Sequence, residues 1–335
     1  MAKPVVRINL ILIAAVIIMA VPTIVVSVIG WDAAQSIAML AAMGGLFSAT
    51  GLGLRGVAAL TIASGVGTFA ASFVDANPLY AVFVMFVAGA ALGIANLWGL
   101  SVWNFMFPVL VASVIAQPPK IVEGQLPNAL AIGAVTMACV LTGGLLTRLL
   151  VRSPHQTHVA KYPVKVNIMY CVNLAVLLAG AGYIAAAFHQ ELLGVWTALT
   201  VVVVLIVPYA GETSRKALQR AGGTILGFLL AIGVSASLLP DFLYYAVGLL
   251  FIEIALLMRF IGARKYWEYV MFLTPGVVLL SGSPSHVGQV DDFRLYATVM
   301  AAVACLVLLG IERLLFWRGG LNEPTATAAA TPATK

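Results

Sequence analysis

The sequence is short of charged residues, and this shortage excludes a typical soluble protein. Only 9% of its 335 residues are charged, against about 25% in a soluble domain. Hydrophobic residues make up 62% of the chain, and the mean hydropathy is +1.06. This apolar surface exceeds what a soluble core could bury. The composition therefore predicts a multi-spanning membrane protein that is embedded in the lipid bilayer.

Cysteine and histidine are also scarce, which argues against several kinds of site. The three cysteines, Cys139, Cys171 and Cys305, lie in apolar segments and show neither disulfide-framework nor metal-ligand spacing. The sequence has no phosphate-cradling Walker loop and no Ser/His/acid set, so we expect neither an enzyme nor a metal or cofactor. The net charge of +6 comes from basic residues scattered over short loops. This pattern favours cytoplasmic loop charge over nucleic-acid binding.

What the chain does contain is an internal repeat with a period of about 165 residues. The matched positions are Trp31 and Trp196, Arg55 and Arg220, Leu79-Tyr80-Ala81-Val82 and Tyr244-Tyr245-Ala246-Val247, and Arg148-Leu149-Leu150 and Arg313-Leu314-Leu315. One residue out of phase, Trp103-Asn104-Phe105 matches Trp267-Glu268-Tyr269. Many transporters are duplicated helix bundles with the substrate held between the halves.

Apolar stretches predict an all-α polytopic membrane protein with about twelve transmembrane helices in two parallel six-helix repeats. The predicted spans are 8–29, 33–52, 56–74, 78–98, 101–117, 127–148, 168–188, 192–210, 218–239, 242–261, 266–282 and 293–316. The first is longer than a signal-peptide core and lacks a small-residue cleavage site, so we interpret it as a helix of the mature protein. The predicted domains are a first repeat (1–152), a cytoplasmic linker (153–166), a second repeat (167–318) and a disordered cytoplasmic tail (319–335).

The basic residues predict the orientation. With the N-terminus and the C-terminus both inside, only Lys120 and Arg294 face outward, which leaves 16 of the 18 basic residues on the cytoplasmic side. This asymmetry satisfies the positive-inside rule. It also supports the even number of spans, because a miscount would scatter the charges over both sides.

Glu253 is a candidate functional carboxylate because it lies halfway along the tenth predicted span. An ionisable residue in the hydrocarbon is costly and marks a functional site by default. It could carry a proton or pair with a cation. Alternatively it is neutral, or it pairs with an arginine such as Arg220 or Arg259. The first repeat has no counterpart.

The fifth and eleventh predicted spans are the second candidate site. Both are short and contain a proline, Pro108 in one and Pro275 in the other. Short, Pro/Gly-broken segments at matching places in two halves point to a transport site. Trp103 with Asn104, and Trp267 with Glu268, precede these prolines. They form either an aromatic-lined binding position or an interfacial aromatic belt.

A third element is the stretch that runs from the eighth predicted span into the basic, glycine-containing start of the ninth. It reads Trp196-x-x-Leu199-Thr200, then Pro208-x-x-Gly211-x-Thr213-x-Arg215, then Arg220-x-x-Gly223-Thr224-x-x-Gly227. Arginines at the cytoplasmic mouth could attract an anion. They could equally be positive-inside anchors.

This stretch resembles the signature of the fusaric acid resistance (FUSC) family, which includes aromatic acid exporters of bacterial inner membranes and is related to plant aluminium-activated malate transporters. The resemblance covers roughly residues 190–317. The first repeat keeps Trp31 and Arg55 but lacks the Pro-x-x-Gly-x-Thr and Gly-Thr elements. The chain also lacks the large cytoplasmic domain of many members.

The resemblance implies export of small, mostly aromatic, organic acids across a bacterial inner membrane, often with a periplasmic membrane-fusion adaptor. It points to Arg215, Arg220, Gly223 and Thr224 as motif positions. We therefore expect an efflux permease coupled to the proton gradient, with Glu253 as the proton-linked group and Arg220 as the anion-attracting one. The alternatives are a passive organic-anion channel and a membrane assembly partner without transport of its own. A homo-oligomer is a further expected partner.

Overall fold

The fold is built from α-helices throughout the part of the chain that the structure describes. The computed structural model describes residues 4–74, 77–150, 163–188, 193–206, 210–235, 241–261, 265–281 and 287–316. Short 3-10 helices occupy Asp32–Ala34 and Asn96–Trp98. The α-helices are α1 Pro4–Val28, α2 Gln35–Ala71, α3 Pro78–Ala95, α4 Met106–Ala116, α5 Gln125–Leu150, α6 Val164–Ala187, α7 Leu193–Val204, α8 Ala210–Ser235, α9 Asp241–Ile261, α10 Tyr266–Ser281 and α11 Val287–Phe316.

Several of these helices are long and apolar enough to cross a bilayer. Five described segments meet both conditions: Asp32–Ala71, Pro78–Trp98, Gln125–Leu150, Val164–Ala187 and Ser214–Val234. A helix satisfies its backbone hydrogen bonds internally, which is what an apolar solvent requires. Their outer faces expose large apolar side chains such as Ile62, Val66 and Leu229, as expected for contact with lipid. The chain is therefore a multi-pass membrane protein.

The helix α2 folds back on itself at Gly53. Gly53 has φ 65° and ψ −154°, a conformation that a residue with a Cβ rarely adopts. A Cβ added to Gly44 would lie 3.3 Å from Cδ2 of Leu60, and one added to Gly56 would lie 2.7 Å from Oγ of Ser48. The two segments of α2 therefore pack side by side in opposite directions. Eleven α-helices are described, one of them folded in this way, so the twelve-span, two-repeat arrangement stays a prediction.

Two short helices, α4 and α7, lie at the centre of the molecule and pack against each other. Their 11 and 12 residues give lengths of about 16–18 Å, against a hydrocarbon thickness of about 30 Å. Nearly all of their residues are buried. The expectation that Pro108 interrupts the fifth span is wrong. The helix begins only at Met106, so Pro108 lies in its first turn, where a missing amide hydrogen breaks no intrahelical bond.

The two halves of the chain meet where α3 packs against α6. A Cβ on Gly89 would lie 2.7 Å from the carbonyl oxygen of Leu174, and one on Gly182 would lie 2.7 Å from that of Ala81. Small residues at these positions allow the two backbones to approach closely, as is typical of helix pairs in membranes. Close backbone packing therefore joins the first half to the second.

A buried polar network completes this contact at one end of α3. The Asn96 side-chain amide donates to Oδ1 of Asn167 over 2.7 Å, and the Ser101 hydroxyl donates to Oδ1 of Asn96 over 2.6 Å. Asn96 and Asn167 are each 5% exposed. Hydrogen bonds between helices fix their register when no water competes for the polar groups.

The glycine contact between the halves is testable. Gly182→Leu should lower the free energy of unfolding by about 1–3 kcal/mol, since the added side chain overpacks the contact with Ala81. Unfolding of the purified protein by SDS titration in mixed micelles measures this change. Gly180→Leu is the matched control, because an added Cβ there has no atom within 4 Å. Equal destabilisation by both variants would contradict the role of this contact.

Candidate functional site

Arg220 is a buried cation at the meeting point of three helices. It belongs to α8 and is 6% exposed. Its Nε donates to Oγ1 of Thr200 in α7 over 3.4 Å, and its Nη1 donates to the hydroxyl of Tyr266 in α10 over 3.1 Å. One side chain thus links α7, α8 and α10. The arginine that the repeat places opposite it, Arg55, is exposed, so this arrangement belongs to the second half.

The two hydrogen bonds described for Arg220 do not neutralise its positive charge. The side chains of Thr200 and Tyr266 are neutral acceptors, so neither neutralises the guanidinium. A guanidinium has five N–H donors in a planar fork, and the two bonds described here use two of them. That fork matches a carboxylate bidentately. A buried cation of this kind favours an anion as its ligand, because a charge in an apolar environment needs compensation.

Thr200 and Tyr266 were not predicted as site residues. Thr200 belongs to the motif on which the family resemblance is based, so the sequence marked its position but did not indicate what it binds. Tyr266 immediately precedes the predicted Trp267, and only the packing of α10 on α8 brings it to the arginine. Its ring also neighbours that of Tyr269, with 6.2 Å between centroids. Phenol and indole groups therefore surround the start of α10.

The motif glycines hold α8 against α10. A Cβ on Gly223 would lie 2.7 Å from the carbonyl oxygen of Trp267 and 2.9 Å from Cβ of Val270. Thr224, a predicted site residue, is 3% exposed beside Gly223. The close approach brings the first turn of α10 to the level of Arg220. The close packing of α8 on α10 thus explains why residue 223 is a glycine. It also explains why Thr224, the next residue, is buried.

Pro275 lies inside α10 without interrupting it, so the expectation of a broken helix is wrong here too. The helix runs from Tyr266 to Ser281 through the proline. Proline has no amide hydrogen to donate to the carbonyl of Met271, four residues earlier. A Cβ on Gly227 would lie 2.7 Å from that oxygen and 3.0 Å from Cδ of Pro275. The backbone of α8 therefore covers the carbonyl that the proline leaves without its helical partner.

Trp267 and Glu268 lie in the first turn of α10, and both are half-buried. The Glu268 amide donates to the carbonyl oxygen of Lys265 over 3.1 Å. The helix dipole favours a carboxylate in this turn, so local helix stability alone can explain an acidic residue at position 268. It stands two residues from Tyr266, so both the structural and the binding interpretation of Glu268 place it near the Arg220 site.

Trp103 and Asn104 lie just before α4, in the first half. The Trp103 indole lies against Gly51 of α2, where a Cβ would overlap the ring. Asn104 is 6% exposed, and its Oδ1 accepts no hydrogen bond from the described residues. These contacts place the pair in the packing of α4 against α2.

Two further predicted residues are placed by their helices. Arg215 is exposed on α8, five residues before Arg220, which suits a charged anchor at the membrane surface. Glu253 belongs to α9, and its side chain lies outside the described residues. The neighbouring Ile252 packs on Gly276 of α10, where an added Cβ would lie 2.9 Å from the Ile252 amide nitrogen.

The Tyr266 hydroxyl should stabilise the fold through Arg220. Tyr266→Phe leaves one donor of a buried guanidinium without its acceptor, and we expect a loss of about 1–3 kcal/mol in the free energy of unfolding. Tyr296→Phe is the control, because Tyr296 is 62% exposed on α11. SDS titration of both variants measures the difference, and indistinguishable curves would exclude a stabilising role for the Tyr266 hydroxyl.

One comparison with known proteins gives a match, and it lies in the second half of the chain. No curated protein and no solved structure gives a significant match to the chain. Residues 172–315 match the family model described as fusaric acid resistance protein-like, and the matched range contains Thr200, Arg220, Gly223, Tyr266 and Pro275. The second half of the chain is therefore similar to the fusaric acid resistance protein-like family.

Proposed function

We propose that the protein is an efflux permease that exports aromatic or related organic acids from the cytoplasm across a bacterial inner membrane. The observation that carries the proposal is the buried Arg220, hydrogen-bonded to Thr200 and Tyr266 within the family-matching half. A membrane protein keeps a buried cation at a cost. Binding an anionic substrate gives that cost a function.

The surroundings of Arg220 suit an acid that carries a ring. Tyr266 and Tyr269 form a ring pair at the start of α10, and Trp267 lies between them in sequence. Aromatic side chains offer flat apolar faces with polar edges. We propose that the substrate carboxylate pairs with the free donors of Arg220 while its ring lies against these aromatic groups.

The position of Arg220 also fits uptake of the substrate from the cytoplasm. By the predicted orientation, the first turns of α8 and α10 lie at the cytoplasmic side, where Arg215 and Lys265 are exposed. These surface cations would raise the local concentration of anions. Arg220, buried about one and a half turns further along α8, would then bind the anion in a drier environment, where the attraction is stronger.

Glu253 is the proposed proton-linked group. It lies on α9, which packs on α10, and α10 also carries Tyr266. A carboxyl group on a helix that adjoins the anion site could exchange a proton for each exported acid. A periplasmic adaptor would extend the route beyond the membrane, and we propose it as the partner on that side.

Transport by purified protein in liposomes tests the anion site. Arg220→Gln should lower the rate of labelled 4-hydroxybenzoate transport by roughly 10- to 100-fold, the equivalent of one or two charge-assisted hydrogen bonds. Arg215→Gln, which removes an exposed cation from the same helix, should keep most of the rate. Size-exclusion profiles identical to wild type establish that both variants are folded. Equal rates for wild type and Arg220→Gln would overturn the site.

The same liposomes test the coupling. An imposed pH gradient should drive the acid against its own gradient in wild type, and Glu253→Gln should retain binding but lose this concentrative transport. Flux that ignores the pH gradient and does not saturate with substrate would instead favour the passive-channel alternative. Absence of any flux with a panel of aromatic acids would favour the assembly-partner alternative.

A further inference from the structure

The two halves meet through α3 and α6, and each of these helices has a counterpart of similar sequence in the other half of the chain. Leu79-Tyr80-Ala81-Val82 of α3 matches Tyr244-Tyr245-Ala246-Val247 of α9, 165 residues later. Val6-Arg7-Ile8-Asn9 of α1 matches Val164-Lys165-Val166-Asn167 of α6, 158 residues later. By these matches, α9 is the counterpart of α3, and α1 is the counterpart of α6.

The helices also pack in corresponding pairs within each half. In the first half, α1 packs on α2 and α3 on α4. In the second half, α6 packs on α7 and α9 on α10. Between the halves, however, α3 packs extensively on α6, whereas α9 makes no comparable contact with α1 among the described residues. One copy of the joint is formed, and both components of the other copy are left open.

Burial shows the same difference at individual positions of α3 and α9. Met85 on α3 is fully buried at 0% exposure, but its counterpart Leu250 on α9 is 53% exposed. Ala81 is also fully buried, and its counterpart Ala246 is exposed. Two positions of α3 that meet α6 therefore have exposed counterparts on α9.

The same difference in exposure is found between α6 and its counterpart α1. Leu174 on α6 is 0% exposed, whereas its counterpart Val16 on α1 is 59% exposed. Gly182 is buried against Ala81, and its counterpart Ile24 is 59% exposed. The exposed counterparts Val16, Ile24 and Leu250 are large aliphatic side chains.

We propose that these two faces pair between two copies of the chain, with α9 of one copy against α1 of its partner. A head-to-tail contact between repeats leaves one unused face at each end unless the rotation closes. Two copies supply the components of two such contacts, because each contributes one open α9 and one open α1. The resulting dimer is a ring of four repeats in which every repeat contacts the next through equivalent helices.

The new contact differs from the joint within the chain in its spacing. The positions of Gly89 and Gly182 are taken by Ile254 on α9 and Ile24 on α1. These branched side chains keep the backbones further apart than α3 and α6. The interface between copies is therefore held by interlocking aliphatic side chains rather than by backbone contact, and we expect it to be weaker than the joint between halves.

Cross-linking in membranes tests the pairing. Ala246→Cys and Ile24→Cys are introduced singly into two differently tagged copies whose native cysteines are replaced by alanine, and a short bismaleimide is added to membranes that contain both. We expect a heterodimer that carries both tags. The control pair is Leu229→Cys with Ile24→Cys, because Leu229 is 57% exposed on α8 and lies on neither face. The control should yield several-fold less product.

Three results would overturn the proposal. An equal yield from the control pair would mean random collision between lipid-facing residues. Cross-linking confined to a single chain that carries both cysteines would mean that α9 and α1 meet within one copy. Because cysteine variants can misfold, the wild-type protein in lipid nanodiscs supplies an independent measurement. Mass photometry should report two copies per particle, and particles with one copy would exclude the dimer.

Discussion

The constraint on which the structure depends is the lack of water for most of its polar groups. Each buried donor or acceptor needs a partner within the protein. The helices satisfy most of their own backbone groups, and some of the remaining polar groups meet a neighbouring helix. The carbonyl of Met271, which Pro275 leaves without a donor, is covered by the backbone at Gly227. The Asn96 amide donates to Oδ1 of Asn167 across the joint between the halves.

Arg220 is where this constraint meets function. In the described contacts two neutral groups, the hydroxyls of Thr200 and Tyr266, accept its hydrogen bonds, and the proposed substrate carboxylate would supply the opposite charge. Ordinary helix packing positions the residues around Arg220. Gly223 and Gly227 bring α10 close to α8, and α7 ends near enough to supply Thr200. The family match falls on this half of the chain.

The sequence match between the two halves does not extend to the burial of the matched residues. The repeat matches Arg55 to Arg220, yet Arg55 is exposed and Arg220 is buried. Likewise, the faces of α3 and α6 that join the halves have exposed counterparts on α9 and α1. A duplication supplies equivalent surfaces, and each copy can use its surfaces differently when its neighbours differ.

The sequence by itself determined the membrane class and the positions of most helices, because apolar runs and breaking residues act locally. The bounds of α3, α9 and α10 lie within three residues of the predicted spans. The prediction that Pro108 and Pro275 interrupt their helices was wrong. The effect of a proline depends on its position in the helix and on the neighbour that packs against the carbonyl it leaves without a donor. Only the tertiary structure decided that Arg220 is buried and that Tyr266 is its partner. Those facts arise from contacts between residues 46 positions apart, and no local pattern specifies such a contact.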